Sequence, residues 1–212
     1  MPGVAIPRRE NTSPLTDGHH RATPAPGVSE DVQVPAYLAL LRGINVSRNQ
    51  RIAMADLRSL LTGLGHDDVS TYLQSGNALF SSRAKSPDTL ATQIEDAIRK
   101  ELGLTVRVLV REAADLHRVL DANPLADVAT DPSKLLVTFL SVPPDAAALE
   151  TIDPATYVPE VMAVGEREIH VWYPDGVRKA KLNPPFFEKR HPGAAATARN
   201  WNTLTKLASM LG

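Results

Sequence analysis

Three short segments combine residue types that recognise anions. Arg42-Gly43-Ile44-Asn45 joins a guanidinium, whose planar fork of donors grips phosphate or carboxylate, to a glycine that permits close backbone approach. Asn45, Arg48 and Arg51 extend this segment into a cradle. Gln74-Ser75-Gly76-Asn77 contributes two amides that both donate and accept, which suits a base edge or a sugar hydroxyl. Thr197-Ala198-Arg199-Asn200-Trp201-Asn202-Thr203 is expected to open the last helix, capped by Thr197 or Asn200, so that free N–H groups and Arg199 face an anion. Lys179, Lys181, Lys189 and Arg190 make the same region basic. Cations beside a helix N-terminus oppose its dipole, and a bound anion removes the conflict. Each segment also has a purely structural reading. Arg42 can sit in an internal ion pair, Ser75-Gly76-Asn77 can be hairpin chemistry, and Trp201 can anchor the core with Leu204.

Other chemistries lack their residues. With 0 cysteines there is no disulfide, thiolate zinc site or cysteine nucleophile. Ser75 has no Gly-x-Ser-x-Gly context, and Arg42-Gly43 lacks the second glycine and Lys-Ser/Thr pair of a P-loop. His66, His117, His170 and His191 are dispersed without metal-ligand spacing, so no metal and no cofactor is expected. Glu95 and Asp96 are expected on an exposed helix face, and no carboxylate pair stands out for acid–base work. The net charge of -1 means that any basic site is local. No apolar run approaches the roughly 18 residues of a membrane span, and Arg8-Arg9 is not followed by the hydrophobic stretch of a secretory signal. The missing cysteines fit a reducing compartment, so a cytoplasmic protein is expected, with no membrane partner; nothing in the sequence sets an oligomeric state.

Residues 1–34 are rich in Pro, Gly, Ser, Thr and charge and read as a disordered tail. A buried strand follows at Tyr37–Leu41, and a helix carries Met54, Leu57, Leu61 and Leu64 at helical spacing. Val69–Gln74 and Ala78–Ser81 read as a hairpin around Ser75-Gly76-Asn77. Ser86-Pro87-Asp88 starts a second helix with apolar Leu90, Ile94, Ile98 and Leu102, and alternation over Leu104–Val110 marks a strand. Strand, helix, strand, strand, helix, strand is the order of a ferredoxin-like unit, assigned to residues 35–121. Residues 122–212 partly echo it: a helix over Glu112–Leu120 leads in, then a strand at Leu135–Val142, a short helix at Asp145–Ile152, a hairpin of Val158–Val164 and Glu168–Tyr173, and a last helix with Trp201, Leu204, Ala208 and Leu211 on one face. The element order gives an α+β fold class with antiparallel sheets: a ferredoxin-like subdomain and a second α+β subdomain that partly echoes it.

Leu40-Leu41-Arg42-Gly43-Ile44-Asn45-Val46, Tyr72-Leu73-Gln74-Ser75-Gly76-Asn77 and Thr197–Thr203, in this order, resemble a bacterial family numbered 1697 among the domains of unknown function. The resemblance covers about residues 36–212. It implies an α+β fold with two ferredoxin-like subdomains and brings no catalytic residue with it. Members often have glycines after the Asn-Val pair, where this chain has Ser47 and Arg48, which narrows backbone approach to a ligand in that loop.

The expected function is binding of a phosphate-bearing ligand, a nucleotide or nucleic acid, in a basic cleft between the subdomains. Its expected residues are Arg42, Gly43, Asn45, Gln74, Ser75, Asn77, Lys179, Lys181, Arg199 and Asn200. One alternative is a small enzyme acting on a phosphoester or glycoside in the same cleft, with His170 or Asp175 as base. The other is a structural or protein-interaction module in which Arg42 and Arg199 are buried in ion pairs.

Overall fold

Every residue of the first strand is apolar, and side chains of a strand alternate between faces, so this strand must be covered on both sides. The computed structural model describes residues 34–46, 50–84 and 86–212, except the side chain of Lys179. The expected tail lies outside the described residues apart from Val34, as do Ser47 and Arg48. Strand β1 (Ala36–Leu41) is followed by helix α1 (Met54–Gly63), strands β2 (Asp67–Tyr72) and β3 (Asn77–Ser81), helix α2 (Pro87–Leu102) and strand β4 (Val108–Glu112). The sheet order is β2-β3-β1-β4, antiparallel throughout. Tyr37, Ala39 and Leu41 pack against α1 and α2. Leu38 and Leu40 face the other way, toward the second half of the chain. Helix α2 starts as expected, with the Ser86 hydroxyl accepting from Thr89 N and proline following, and it stops at Gly103 in the left-handed conformation.

Helix α3 (Ala113–Asp121) leads to strand β5 (Leu135–Leu140), helix α4 (Ala146–Glu150), strands β6 (Val161–Val164) and β7 (Glu168–Trp172), helix α5 (Pro184–Arg190), strand β8 (Ala196–Asn200) and helix α6 (Trp201–Leu211). This second sheet has the order β6-β7-β5-β8, again antiparallel, so the two halves share one topology. The chain is thus an α+β protein with two four-stranded antiparallel sheets. Their inner faces meet in one cluster that joins Leu38, Leu40, Leu79 and Leu109 to Val137 and Phe139, closed by α3 and α6. Val34–Gly212 form one compact unit.

Three elements depart from the sequence reading. The strand expected over Leu104–Val110 lies at Val108–Glu112, the segment between the second hairpin and the last helix contains α5, and Arg199 lies on strand β8 rather than at the head of a helix. The tight turn also falls earlier, at Leu73–Gly76, with Leu73 and Gly76 both at positive φ.

Candidate functional site

Of the residues expected to hold an anion, Arg199, Asn77 and Ser75 bond to one another. Arg199 is 8% exposed, and burial lowers its guanidinium to about 10. Its Nε donates to Asn77 Oδ1, and its Nη1 donates to Thr197 Oγ1 and the Ala198 carbonyl, both at 2.8 Å. Its Nη2 reaches the Leu41, Ser75 and Gly76 carbonyls at 2.9, 3.1 and 3.1 Å. All three nitrogens are engaged, so Arg199 ties β8 to the turn before β3 through carbonyl dipoles and one amide. Asn77 is buried, and its Nδ2 donates to the Tyr72 carbonyl and Ser75 Oγ.

Arg42 pairs with Glu188 on α5 at 2.6 Å and donates through Nε to the Ala196 carbonyl. Glu188 in turn accepts from Ala196 N at 2.8 Å. The ion pair thereby covers the open edge of β8 as a neighbouring strand would. Gly43 takes a positive φ of 68°. Asn45, itself left-handed, closes the first loop by bonding Ile52 and the Gln74 carbonyl. The side chains of Gln74 and Ser75 lie in an exposed turn. Asn200 caps α6 by accepting from Thr203 N, while Thr197 stays on β8. Lys181 lies elsewhere, on a cavity of about 430 Å³ in the second half with Tyr157, Glu160, Tyr173, Asp175 and Arg178. The side chain of Lys179 is outside the described residues. The structure therefore brings Arg42, Asn45, Asn77 and Arg199 to one end of the molecule, with Asn45, Asn77 and Arg199 engaged and Arg42 paired through Nη2 and Nε, and separates Lys181 from them.

The dipole conflict expected at Arg199 does not arise, because the residue is on a strand and its charge is met by carbonyls. The enzymatic alternative required His170 or Asp175 beside Arg199. His170 lies across β5 from Arg199, both facing Val137, and is buried near Trp201 at 6.2 Å between ring centroids. Asp175 lines the cavity of Lys181.

The shared topology supplies each residue with a counterpart. Leu41 N bonds the Gly76 carbonyl and Arg42 N the Arg107 carbonyl; Leu140 N bonds the Arg167 carbonyl and Ser141 N the Ala195 carbonyl. Leu41 thus corresponds to Leu140, Arg42 to Ser141 and Gly76 to Arg167. Arg111 faces Leu38 as Arg199 faces Val137, three residues before those leucines. The two arginines are exchanged: Arg199 donates to the Leu41 carbonyl, and Arg111 donates to the Leu140 carbonyl.

The second end is less complete. Arg111 is 4% exposed, and its Nε has no acceptor among the described residues. The counterpart of Asn77 is Glu168, which is drawn instead to Arg118 at 3.3 Å and to Arg167 N. Burial first, and then the positive charge of Arg167, lowers the Arg111 guanidinium to about 10. Arg167 bonds the Ser141 carbonyl at 2.7 Å, and its Nε also lacks an acceptor among the described residues. Where Arg42 reaches Glu188 and the Ala196 carbonyl at the first end, its counterpart Ser141 is too short to span, and a cavity of about 280 Å³ lies at the second. It is lined by Asp88, Thr92, Glu95, Arg107, Arg111 and Ser141, among others. Glu95 is not the exposed residue expected: it caps the β4 edge by accepting from Val108 N, with Arg107 alongside at 3.5 Å. Sequence reasoning missed Arg111 and Arg167. The only signal for Arg111 is its place on β4 matching that of Arg199 on β8, which needs β8 to be recognised first.

Among the described residues, no group of three or more His, Cys, Asp or Glu side chains could hold a metal ion, and no helix is long and apolar enough to cross a membrane. The fold and this clamp define a protein of two fused ferredoxin-like units locked face to face by exchanged arginines. The chain belongs to the DUF1697 family, described as a protein of unknown function, whose pattern matches residues 34–170. That range takes in the first two motifs and Arg111, and ends before Arg199. A conserved bacterial protein from Streptococcus pneumoniae has a similar solved structure: TM-score 0.66, 26% identity, 84% of this chain and 99% of that one covered. No curated protein matches the chain.

Proposed function

We propose that the protein is a cytoplasmic binding module for a phosphate-bearing small ligand, held between the two halves in the cavity beside Arg107, Arg111 and Arg167. The carrying observation is that Arg111, on the wall of a polar cavity, and Arg167, which bonds the wall residues Ser141 and Asp88, each have a buried Nε without an acceptor among the described residues. Buried donors are almost always paired, and two neighbouring arginines repel one another, so an anion meets both needs. The opposite end is the internal control: Arg199 has every nitrogen engaged, and Arg42 is paired with Glu188. Glu95 and Asp88 do not cancel the site, since Glu95 is held by Val108 N and Arg107, and Asp88 lies 3.5 Å from Arg167. The cavity suits a phosphate with a small attached group, such as part of a nucleotide, rather than a long strand.

Thermal unfolding with millimolar pyrophosphate, ATP and a sugar phosphate tests this reading. At a hundredfold excess over Kd, binding adds about 2.7 kcal/mol and raises Tm by about 5 °C or more. The increment should shrink in Arg107→Ala and Arg167→Ala and persist in Arg42→Ala. Absence of any increment, or an equal one in all variants, rejects the site.

A further inference from the structure

The two sheets present four open edges, and three are guarded. Strand β2 carries Asp67 and Asp68 and an irregular register. On β4, Glu95 covers Val108 N, and on β8, Glu188 and Arg42 cover Ala196. These are the charged and irregular devices by which proteins keep sheet edges from pairing with other chains. Strand β6 has none. Its sequence is Val161-Met162-Ala163-Val164, without charge or proline, and both terminal valines are exposed. Gly165 N bonds the Glu168 carbonyl, so Gly165 and Glu168 form a bonded pair of the β6–β7 ladder. Counting back along the antiparallel ladder, the N–H and C=O groups of Val164 and Met162 point away from β7.

One cavity is lined by Val161 and Met162 of this edge, and a larger one adjoins it just before the strand; the two share Tyr157, Val158 and Glu160. The larger carries Arg178 and Lys181, neither with an ion-pair partner among the described residues. Lys134 adds a third cation by donating to the Pro174 carbonyl. Of the two acids there, Glu160 has both oxygens taken by Lys181 N and Leu182 N, which leaves Asp175. The smaller cavity, about 230 Å³, is mainly apolar, with Ile152, Tyr157, Met162 and Leu182. Val158, 73% exposed, stands on the ridge between them.

We propose that β6 is a docking edge for an extended peptide of a partner protein. The peptide's backbone adds to Met162 and Val164, an acidic side chain lies over Arg178 and Lys181, and an apolar side chain two residues away fills the smaller cavity. Main-chain bonds supply affinity in this mode, and the pockets for alternate side chains supply specificity. The site shares no residue with the cavity between the halves, so the two proposals stand or fall separately.

The probe is a fluorescein-labelled octapeptide, Val-Thr-Glu-Thr-Val-Thr-Glu-Thr, read by polarisation. Two comparison peptides carry lysine for glutamate or N-methyl groups at alternate amides. Each should bind at least tenfold more weakly than the probe. Val164→Pro removes an outward N–H and leaves the ladder to β7 intact, so it should abolish binding with little change in Tm. Arg178→Glu combined with Lys181→Glu should reverse the preference between acidic and basic peptides. Equal binding of the acidic and basic peptides, or unchanged binding by Val164→Pro, overturns the proposal. A concentration-dependent dimer in sedimentation that Val164→Pro dissociates also overturns it, because the occupant is then a second copy of this chain.

Discussion

Arg199 has no carboxylate partner, yet it is the most heavily bonded side chain at the join of the halves. Removing it leaves the buried Asn77 Oδ1 and the Leu41 carbonyl without a donor and takes a second donor from the Gly76 carbonyl, which Leu41 N still meets. Buried acceptors left unmet cost about 1–3 kcal/mol each and do not add fully, so Arg199→Ala should lose about 3 kcal/mol or more in urea unfolding. Arg199→Lys should recover little, because an ammonium lacks the planar fork. A loss below about 1 kcal/mol would show that water replaces the guanidinium. Histidines give a second test. His66, stacked on Phe80 at 4.5 Å, and His170 both bind protons less readily than usual because of burial, which outweighs the opposing pull of Asp67 and Glu168. Below their ordinary value of 6.5 the unfolded chain therefore binds more protons than the folded one. Stability should be full above that pH and fall as pH drops through it toward 5. His66→Phe should flatten part of the slope, and an unchanged slope would clear His66 of any role. At this scale the sequence marked Arg42, Asn45, Asn77 and Arg199 as special but not why, since free and engaged guanidinium groups look alike until their acceptors are placed.

Elements show where local signals suffice. Helix α2 is legible because Ser86-Pro87, the apolar spacing and Gly103 all state the same thing within the segment itself. Strand β8 is not, because Ala195-Ala196-Thr197-Ala198 has weak strand propensity and exists by pairing with β5 and by the Glu188–Arg42 cap, both distant in sequence. Helix α5 spans 7 residues, too few for its period to be seen, and is held by the Asn183 cap and Phe187 in the core. Gly76 carries a demand that belongs to the hairpin. It has φ of 80°, and a Cβ there would lie 2.8 Å from both Ile44 Cδ1 and Leu41 Cβ. Its carbonyl also meets Arg199. Strain and overlap together predict that Gly76→Ala costs about 2–4 kcal/mol, measurable by urea unfolding. Gly103→Ala, with positive φ but open space around it, should cost only about 1 kcal/mol. Equal losses would mean that backbone strain, not the approach of Leu41 and Ile44, sets the requirement at Gly76.

For the whole molecule, the question is whether two ferredoxin-like units merely share a chain or depend on one another. The inner face of the first sheet carries Leu38, Leu40, Leu79 and Leu109, each no more than 3% exposed, and their cover comes from Val137, Phe139, α3 and α6. Arg111 needs the Leu140 carbonyl, and the Leu41 carbonyl needs Arg199. Of these contacts only those of α3 stay within the first half, so a fragment of residues 34–121 would expose much of an apolar sheet face and leave Arg111 without its Leu140 acceptor. Such a fragment should lack a cooperative thermal transition and dispersed amide resonances. A fragment of residues 122–212 added to it should restore both, since the arginine exchange then closes in trans. The same exchange predicts that the intact chain unfolds in a single transition, because neither half keeps its inner face dry once the other opens. A fragment of residues 34–121 that folds sharply on its own would contradict this, making the arginine exchange a contact between independent domains. A ligand between the halves would then act on their orientation. With interdependent halves, a ligand beside Arg107 and Arg167 stabilises both sheets at once.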